Sequence, residues 1–415
     1  MKNKVFKPSL SPGNIIYVND VPYLLLPQSL PEKIGEKGEK IGFASYVNMS
    51  PDSYVKLSDG KVLLRYKDNP YFHKVILDNA KGVIGDAYDL VIFTDKNFFH
   101  FTNGLLFSNS YEKKSTILKD NISECYPIDT DSRGIIKTKD GKLCYVYYDA
   151  RSSSLESNIL PGSELKFYKR LKGHKKTFFG TVLLTDKGLH AIIRTDTKGL
   201  KFLNEPGMTL SDEDELYPLQ LPEKVNIENI KDVEGIVRYY NLFLLTKQGD
   251  VYAIGDNRFH QRGTDEDIDA GKWNKIRYPE PIKQIFVTVK PRVFALSESG
   301  NLYYHGYNED NGFRLFSHNR NIESPTKIDE GILHIFSFNQ LVDLGADSTV
   351  HGLDNEGNYF CYPAKYSPLE HYKVLGKRRT VPPPVIKSVT DLFITNKMVH
   401  MLVGSACAAP DSVFL

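Results

Sequence analysis

The sequence predicts an all-β protein that folds as a seven-bladed β-propeller, with eight blades as the alternative count. Two observations predict this fold: a hairpin pattern centred on Gly or Asn recurs along the chain, and the composition favours strands and turns. The 415 residues include 25 Tyr, 23 Phe, 30 Gly and 22 Pro. Aromatic residues favour strands, whereas Gly and Pro favour turns. Long amphipathic helices are not expected in such a chain.

Each copy of the hairpin pattern has a short apolar stretch, two or three polar residues, a turn residue and a second apolar stretch. The clearest copy spans residues 242–252 and reads LFLLTKQGDVY. Gly is favoured at the turn because it adopts the left-handed backbone conformation without steric strain, and Asn accepts it next most readily. The predicted turn residues are Gly60, Asn97, Gly141, Gly188, Gly249, Gly300 and Gly357.

The spacing of the turns predicts the arrangement of the hairpins. Successive turns are separated by roughly 40 to 60 residues, which is the repeat length of propeller blades. Because an unpaired sheet edge invites aggregation, we expect the first and last strands to meet. The apolar segments 15–26 and 391–402 are predicted to share the sheet that closes the ring. We therefore expect an N-terminal extension over 1–12, one propeller domain over 13–404 and a C-terminal tail over 405–415.

Charge and cysteine content exclude several classes of protein. The chain has 53 Lys and Arg against 51 Asp and Glu, so it lacks the basic character of nucleic-acid-binding proteins, and we expect no direct nucleic-acid binding. It contains no apolar run long enough to span a membrane and no signal-peptide pattern. The four Cys have no Cys-x-x-Cys spacing, which indicates a reducing compartment. We expect a cytoplasmic monomer.

Two copies of the pattern resemble the repeats of the RCC1 family, named after the regulator of chromosome condensation. Residues 242–257 match its strand–turn–strand pattern, and Gly255-Asp-Asn257 matches its Gly-x-Asn. Residues 260–263, HQRG, stand where the family has Gly-Gln-Leu-Gly. Residues 294–308 match nearly as well, and 344–353 are similar to the family's first strand. The first four copies keep only the hairpin, so the resemblance is sharp only over 235–360.

The resemblance implies a protein-binding propeller without covalent chemistry, catalytic residues, metal or cofactor. The best known activity of the family is guanine-nucleotide exchange on Ran, so a Ran-like small GTPase is the first partner to test. The chain would act as an exchange factor or regulator, binding the nucleotide-free GTPase more tightly and thereby lowering its affinity for nucleotide. No exchange residue is carried over, because the copies expected to hold such residues are the diverged ones.

Two other hypotheses stay open. The chain would be a non-catalytic scaffold or adaptor for another protein, a class that includes a bacterial effector delivered to a host cytosol. The third hypothesis is an enzyme whose site lies in the propeller channel. The sequence does not contain the glycine-rich phosphate loops or the Gly-x-Ser-x-Gly motif that would favour an enzyme. The eleven His are dispersed, and those in predicted strands are expected to be structural.

Two acidic runs beside aromatic residues are the candidate partner-binding site. The first run begins at residue 212 and the second at residue 265, and both lie in segments between predicted strands, where binding residues are usually found. An acidic surface with aromatic residues would bind a basic partner and steer its approach. The alternative is that both runs are solvated loops. The candidate residues are Asp212, Glu213, Asp214, Glu215, Tyr217, Asp265, Glu266, Asp267 and Trp273.

Overall fold

The computed structural model of the protein describes most of the chain up to residue 380. The described residues are 5–6, 15–18, 20–24, 32–46, 54–66, 69–85, 89–94, 97–102, 105–110, 121–127, 133–149, 151–152, 154–170, 180–194, 207–212, 214–236, 241–264, 269–288, 291–308, 321–336, 350–355, 359–362 and 379–380.

The described strands form eight antiparallel sheets, numbered here 1 to 8 in chain order. Sheet 1 contains β1 (Val5–Phe6), β2 (Ile15–Val18), β3 (Val21–Leu24) and β4 (Glu32–Lys33). Sheet 2 contains β5 (Ile41–Tyr46), β6 (Tyr54–Ser58), β7 (Lys61–Tyr66) and β8 (Asn69–Leu77). Sheet 3 contains β9 (Gly82–Gly85), β10 (Asp89–Phe93), β11 (Asn97–Thr102) and β12 (Leu105–Ser110). Sheet 4 contains β13 (Ile122–Pro127), β14 (Arg133–Thr138), β15 (Leu143–Asp149) and β16 (Ser154–Ile159).

The remaining sheets follow the same plan, with one additional strand. Sheet 5 contains β17 (Leu165–Arg170), β18 (Gly180–Thr185), β19 (Gly188–Arg194), β20 (Met208–Thr209) and β21 (Asp214–Leu219). Sheet 6 contains β22 (Ile230–Ile236), β23 (Asn241–Thr246), β24 (Val251–Gly255) and β25 (Asn274–Ile276), and a 3-10 helix over Ile227–Asn229 precedes it. Sheet 7 contains β26 (Ile282–Val287), β27 (Arg292–Ser297), β28 (Leu302–Gly306) and β29 (Ile322–Asp329). Sheet 8 contains β30 (Ile332–Phe336), β31 (Val350–Asp354), β32 (Tyr359–Tyr362) and β33 (Arg379–Thr380).

Strands pair in chain order within every sheet, except that β20 lies outside β21 in sheet 5. The second strands β18, β23 and β27 are buried at every residue. In β23, Leu242 and Leu244 pack in the core between sheets 5 and 6, whereas Phe243 packs in the core between sheets 6 and 7. Successive side chains of a strand point to opposite faces, so each of these sheets is covered on both sides.

Six such cores join consecutive sheets from sheet 2 to sheet 8. The first strands of neighbouring sheets also contact one another, as β17 contacts β22, β22 contacts β26 and β26 contacts β30. Four-stranded antiparallel sheets that stack face to face with their first strands together form a β-propeller. The all-β propeller prediction is therefore confirmed.

The first sheet bears on the predicted number of blades and on ring closure. Strands β2 and β3 pair with β1 and β4, so the described strands of this sheet all come from the N-terminal part of the chain. The described residues thus form eight sheets, and the count of seven blades is not confirmed. Strand β1 falls within the predicted extension 1–12. The segment 391–402 lies outside the described residues, so the closing sheet stays a prediction.

Five of the predicted turn residues join the second and third strands of their sheets. Gly60, Gly141, Gly188, Gly249 and Gly300 all have positive φ angles. These turns lie at one end of the propeller, called here the hairpin end. At the opposite end, called here the far end, the third strands finish at residues such as Asp149 and Gly255, and β21 begins at Asp214.

Asn97 differs from the predicted turn residues, and Gly357 lies outside the described residues. Asn97 is the first residue of β11 and is not among the residues with a positive φ angle. Its carbonyl accepts hydrogen bonds from the Thr94 backbone N–H at 2.9 Å and from the Thr94 hydroxyl at 2.8 Å. Side-chain and backbone hydrogen bonds therefore join Thr94 to Asn97 across this turn.

A β-bulge recurs in the first strands at the hairpin end. In sheets 2, 4, 5, 6, 7 and 8 the register shifts just after an Ile or Leu at the start of the first strand. A bulge increases the local twist of a strand. The common bulge therefore gives the first strands the same twist where they approach one another.

Within the described part of the chain, no helix has the length and apolar character needed to cross a membrane.

His305 links sheets 6 and 7 from a fully buried position in β28. Its Nε2 lies 2.8 Å from the Tyr278 hydroxyl, and its Nδ1 lies 3.4 Å from the His260 carbonyl oxygen. A carbonyl only accepts hydrogen bonds, so Nδ1 carries the proton and Nε2 accepts from Tyr278. Burial lowers the pKa of His305 to about 3, against an opposing contribution from the His260 carbonyl.

The glycine turns predict different costs for two Ala substitutions. Gly249 and Gly141 have φ angles of 87° and 85°. A Cβ at Gly249 would lie 2.6 Å from Pro281 Cβ and 2.7 Å from the Ile282 nitrogen, whereas no described atom beyond its chain neighbours lies within 4 Å of one at Gly141. We expect Gly141→Ala to lower the free energy of unfolding by about 1–2 kcal/mol. Gly249→Ala should cost about 1–3 kcal/mol more, because backbone must move. Urea unfolding measures the free energy of unfolding of both variants. If the two variants lose the same amount, the predicted steric cost of a Cβ at Gly249 is contradicted.

The buried imidazole predicts a pH dependence of stability. The unfolded chain protonates His305 below its ordinary pKa of 6.5, whereas the folded chain does so only near 3. The stability that depends on neutral His305 is therefore complete above pH 6.5 and declines as the pH falls towards 3. We expect a slope of about 1 kcal/mol per pH unit over this range, reduced in His305→Asn. Denaturant unfolding at several pH values measures this slope. If the free energy of unfolding changes with pH equally in the variant and the unsubstituted protein, His305 is not the cause of the pH dependence.

Candidate partner-binding surface

The first acidic run lies at the far end of sheet 5, where β20 turns into β21. Asp212 is exposed in this turn, whereas Asp214 starts β21 and is only 2% exposed. Glu213 lies outside the described residues. The structure thus corrects the prediction for Asp214: its carboxylate is buried, and only Asp212 of the described pair is free to meet a partner at the surface.

Asp214 joins sheets 4 and 5 through a buried ion pair. Its Oδ2 lies 3.0 Å from Nη1 of Arg133 in β14. The same oxygen accepts hydrogen bonds from the Tyr145 hydroxyl at 2.8 Å and the Ser211 hydroxyl at 2.9 Å. A buried charge is tolerated when a counter-ion and hydrogen bonds replace its hydration. The pair therefore fixes the start of β21 against the neighbouring sheet.

An acidic surface lies at the same end of sheets 4 and 5, around Tyr147. We define it by Tyr147, Asp149 and Glu156 from sheet 4 and Asp212 from sheet 5. Tyr147 and Glu156 are directly opposite each other in the β15–β16 pair. Burial raises the pKa of the Tyr147 phenol, and the negative charges of Glu156, Asp212 and Asp149 raise it further. Tyr147 thus keeps its proton within a negative field.

The carboxylates of the acidic surface are held in place by local hydrogen bonds. Asp149 accepts from the Ser152 hydroxyl at 2.5 Å and from the Arg151 backbone N–H at 3.0 Å. These bonds, that from Ser152 first, hold the pKa of Asp149 below its ordinary value. Glu156 accepts from the Ser154 hydroxyl at 2.8 Å. These hydrogen bonds fix the positions of the two carboxylates, and exposed Arg151 lies beside Asp149.

The two sheets that form the acidic surface are connected at its border. Nδ2 of Asn158 in β16 donates to the Leu210 carbonyl of sheet 5 at 2.6 Å. Leu210 itself packs in the core between these sheets. Both the apolar core and this hydrogen bond therefore keep Glu156 and Asp212 at a constant separation.

The other residues of the first run face away from the acidic surface. Glu215 and Tyr217 follow Asp214 on β21, and alternate residues of a strand point to opposite faces. Tyr217 packs on the core between sheets 5 and 6, and its hydroxyl donates to Glu215. Burial and this hydrogen bond raise the pKa of Tyr217 to about 12. The strand therefore divides the run between the two sides of sheet 5.

Trp273 belongs to the same side as Tyr217. Its ring packs on the core between sheets 5 and 6, and Nε1 donates to the Gln220 carbonyl at 2.7 Å. Tyr217 and Trp273 are thus brought to one core, and Trp273 connects the two sheets that form it. Asp265, Glu266 and Asp267 lie outside the described residues, so their role in binding stays a prediction.

Arg262 fixes the loop that carries the second run. It is fully buried, and burial lowers its pKa to about 10 although Asp269 opposes the shift. Nη1 donates to the Gly255 and Asp269 carbonyls, each at 3.1 Å, and Nη2 donates to the Lys272 carbonyl at 2.7 Å. Nε donates to Oδ1 of Asn274 at 2.6 Å. The loop between β24 and β25 is therefore held at both ends by one side chain.

The RCC1-type residues around Arg262 form a network inside sheet 6. Nε2 of Gln261 donates to Oδ1 of Asn241 at 3.0 Å, and Oδ1 of Asn257 accepts from the Arg262 backbone N–H at 2.9 Å. The motif residues thus stabilise sheet 6. Arg262 was not among the candidates because the family pattern has Leu at its position.

Sequence analysis also missed Tyr147, Asp149 and Glu156. These residues are more than fifty positions from Asp212, so no local pattern connects them. The available signal was their place just after the predicted hairpin at Gly141, on the strand that leads to the far end.

Among the described side chains, no three His, Cys, Asp or Glu are grouped as a metal ion would require.

Comparison with known proteins yields structural neighbours at low identity. No family model and no curated protein matches the chain. It is similar to Prp20p from Saccharomyces cerevisiae, whose binding properties concern Gsp1p and histones, with 14% identity over 78% of each chain and a TM-score of 0.44. The yeast RCC1 (Prp20) bound to Kap60 gives 15% identity over 78% of this chain and 76% of that chain, with a TM-score of 0.45.

A third neighbour has repeats of another class. The WD40 domain of SCAP from fission yeast shares 11% identity over 82% of this chain and 83% of that chain, with a TM-score of 0.41. The propeller assignment therefore rests on the strand topology and sheet packing of the chain itself.

Two substitutions distinguish the buried and exposed carboxylates of the first run. We expect Asp214→Asn to lower the free energy of unfolding by about 3–5 kcal/mol, because it leaves the Arg133 guanidinium buried without its counter-ion. Asp212→Asn is the matched control and should change stability by no more than about 0.5 kcal/mol. Urea unfolding followed by circular dichroism measures both. A loss at Asp214 as small as that at Asp212 would show that the pair does not join the sheets.

Proposed function

We propose that the chain is a protein-binding propeller whose partner is a Ran-like small GTPase, on which it acts as an exchange factor or regulator. The observation that carries the proposal is the acidic surface of Tyr147, Asp149, Glu156 and Asp212 at the far end of sheets 4 and 5. In this proposal the chain acts as a monomer in the cytoplasm, or in a host cytosol if it is a bacterial effector.

The resemblance to RCC1-type repeats supports the choice of partner. The two sharpest copies, 242–252 and 294–303, form the paired second and third strands of sheets 6 and 7. Both have their glycine at a turn with positive φ. The pattern on which the resemblance depends therefore corresponds to intact blades beside the two sheets that carry the acidic surface.

The charge and chemistry of the acidic surface favour a basic protein partner. Fixed carboxylates accelerate the encounter with a basic surface, and physiological salt screens this attraction beyond about 8 Å. Tyr147 contributes an aromatic ring and a protonated hydroxyl among them, a side-chain type that is enriched at the centres of protein interfaces. A basic loop of the GTPase would thus meet both charge and aromatic area.

Exchange follows from binding if the propeller prefers one state of the GTPase. A propeller that binds the nucleotide-free form more tightly than the nucleotide-bound form must lower nucleotide affinity by the same factor. No bond is made or broken in this step. The rigid sheets would provide the binding energy that displaces the loops around the nucleotide.

Release of a fluorescent GDP analogue from a panel of Ran-type GTPases tests the proposal. We expect the chain to accelerate release from at least one member. The double variant Glu156→Lys/Asp212→Lys should lower the association rate about tenfold at low salt, because it reverses the steering charge. The control Glu223→Lys/Glu298→Lys makes the same change in net charge at exposed sites of the hairpin end and should leave the rate unchanged.

The outcomes separate the hypotheses. Binding without faster GDP release would reject exchange and support an adaptor. The absence of binding to every GTPase in the panel would reject the GTPase as partner. Equal losses in the two double variants would show that net charge, and not the acidic surface, determines association.

A further inference from the structure

The tripeptide Asp-Gly-Lys occurs twice in the chain, at residues 59–61 and 140–142, each time at a hairpin turn. Asp-Gly pairs are the peptide sites at which aspartate isomerises most readily, because Gly has no side chain to hinder attack on the neighbouring carboxyl group. The two copies consist of the same three residues. A difference in reactivity between them therefore has to come from the structure of their turns.

The turn of sheet 4 holds both of the groups that would react. Oδ1 of Asp140 accepts from Nδ2 of Asn121 at 3.1 Å, and Oδ2 lies 2.9 Å from Nζ of Lys142. The Gly141 N–H donates to the Thr138 carbonyl at 2.9 Å. A hydrogen bond from Thr138, ahead of that from Lys142, holds the pKa of Asp140 below its ordinary value. The carboxylate therefore stays ionised and fixed, and ionised carboxylates are poor electrophiles.

The turn of sheet 2 leaves the same groups open. Only Asp59 and Gly60 lie between the last paired residues of β6 and β7. Asp59 is exposed, and its carboxylate makes no hydrogen bond or ion pair in the part of the chain that the structure describes. The Gly60 N–H likewise has no acceptor among the described residues. No described contact therefore restrains the carboxyl group or the nitrogen that would attack it.

The backbone of Asp59 adds to this difference. Its φ angle of 49° lies in the left-handed region, which is less favourable for a residue with a side chain than for Gly. In sheet 4 the left-handed position is occupied by Gly141, and Asp140 does not have a positive φ angle. Attack on the carboxyl group requires rotation of the backbone in the turn. Release of the left-handed conformation at Asp59 favours this rotation.

We propose that Asp59 is a site of spontaneous isomerisation to isoaspartate, whereas Asp140 is protected by its turn. The Gly60 nitrogen attacks Cγ of Asp59, the nitrogen loses its proton, and a carboxyl oxygen leaves as water, which closes a succinimide ring. Water then adds to one of the two ring carbonyls. Addition at Cγ regenerates aspartate, and addition at the backbone carbonyl gives isoaspartate, in which the chain continues through Cγ. The mass is unchanged, and no oxidant is required.

The product changes the turn in which it forms. Isoaspartate adds one atom to the backbone between β6 and β7, in a connection of two residues. Loop length and turn type fix the register of a hairpin, so we expect the modified turn to weaken the pairing of these strands. The site goes beyond the proposed GTPase function. It lies at the hairpin end of sheet 2, far along the chain from the acidic surface, and neither test depends on the result of the other.

Peptide mapping of the full chain after incubation at mildly acidic pH measures isoaspartate at each site. We expect it to form at Asp59 about tenfold faster than at Asp140 or more, because a hydrogen bond to the charged Asp140 carboxylate must break before that residue reacts. In denaturing urea the two sites should react at equal rates, because the turns are lost. Equal rates in the folded chain, a faster rate at Asp140, or isoaspartate at neither site would overturn the proposal.

Two Lys variants test whether the contacts of Asp140 protect it. Lys142→Met removes the ion pair and should raise the rate at Asp140 severalfold, with the rate at Asp59 unchanged. Lys61→Met is the matched control, because Lys61 also follows the Gly of its turn but is exposed and has no ion pair among the described residues. It should alter neither rate, and urea unfolding verifies that both variants stay folded. An unchanged rate at Asp140 in Lys142→Met would contradict the assigned protection.

Discussion

The structure depends on strands that are apolar on both faces. A strand such as β23, buried at every residue, belongs to a sheet that no single neighbour covers completely. Burying one Leu or Phe side chain stabilises the fold by about 1.5–3 kcal/mol, so an uncovered face would be strongly unfavourable. Stacking consecutive sheets covers both apolar faces of every sheet except those at the ends of the row. Closing the row into a ring is the solution that propellers use for the ends.

Polar contacts between neighbouring sheets determine the orientation in which the apolar faces stack. The Arg133–Asp214 ion pair connects sheets 4 and 5, Trp273 connects sheets 5 and 6, and the Tyr278–His305 hydrogen bond connects sheets 6 and 7. The ion pair and the Tyr278–His305 bond involve buried polar atoms, which are satisfied only when the two sheets have one relative orientation. These contacts therefore set how one sheet sits on the next. The ion pair also fixes the start of β21, which carries part of the first acidic run.

The two ends of the propeller have different chemistry because the strands run in alternating directions. Every hairpin turn after a second strand lies at the hairpin end, and the recurring bulge lies there as well. In sheets 5 to 8 the connections that follow the third strands are longer than the hairpin turns, and they lie at the far end.

The turn at Asn97 and the acidic run show where local sequence stops being informative. The sequence predicts a left-handed turn residue at position 97, yet the Thr94 side chain closes the turn instead. It predicts one acidic surface from residue 212 to Tyr217. Because side chains alternate along β21, Tyr217 packs instead on the core between sheets 5 and 6. In both cases the local pattern identifies the residues correctly. Their environment depends on which strand or sheet lies beside them.

The sequence by itself determined the hairpins, five of their glycine turns and the all-β propeller, because these depend on residues a few positions apart. Tertiary structure alone decided that Asp214 is buried against Arg133, eighty-one positions away. It also decided that Glu156 and Asp212 lie around Tyr147 at the far end. Such contacts connect different sheets, and their partners are set by stacking and strand direction, which no local spacing encodes.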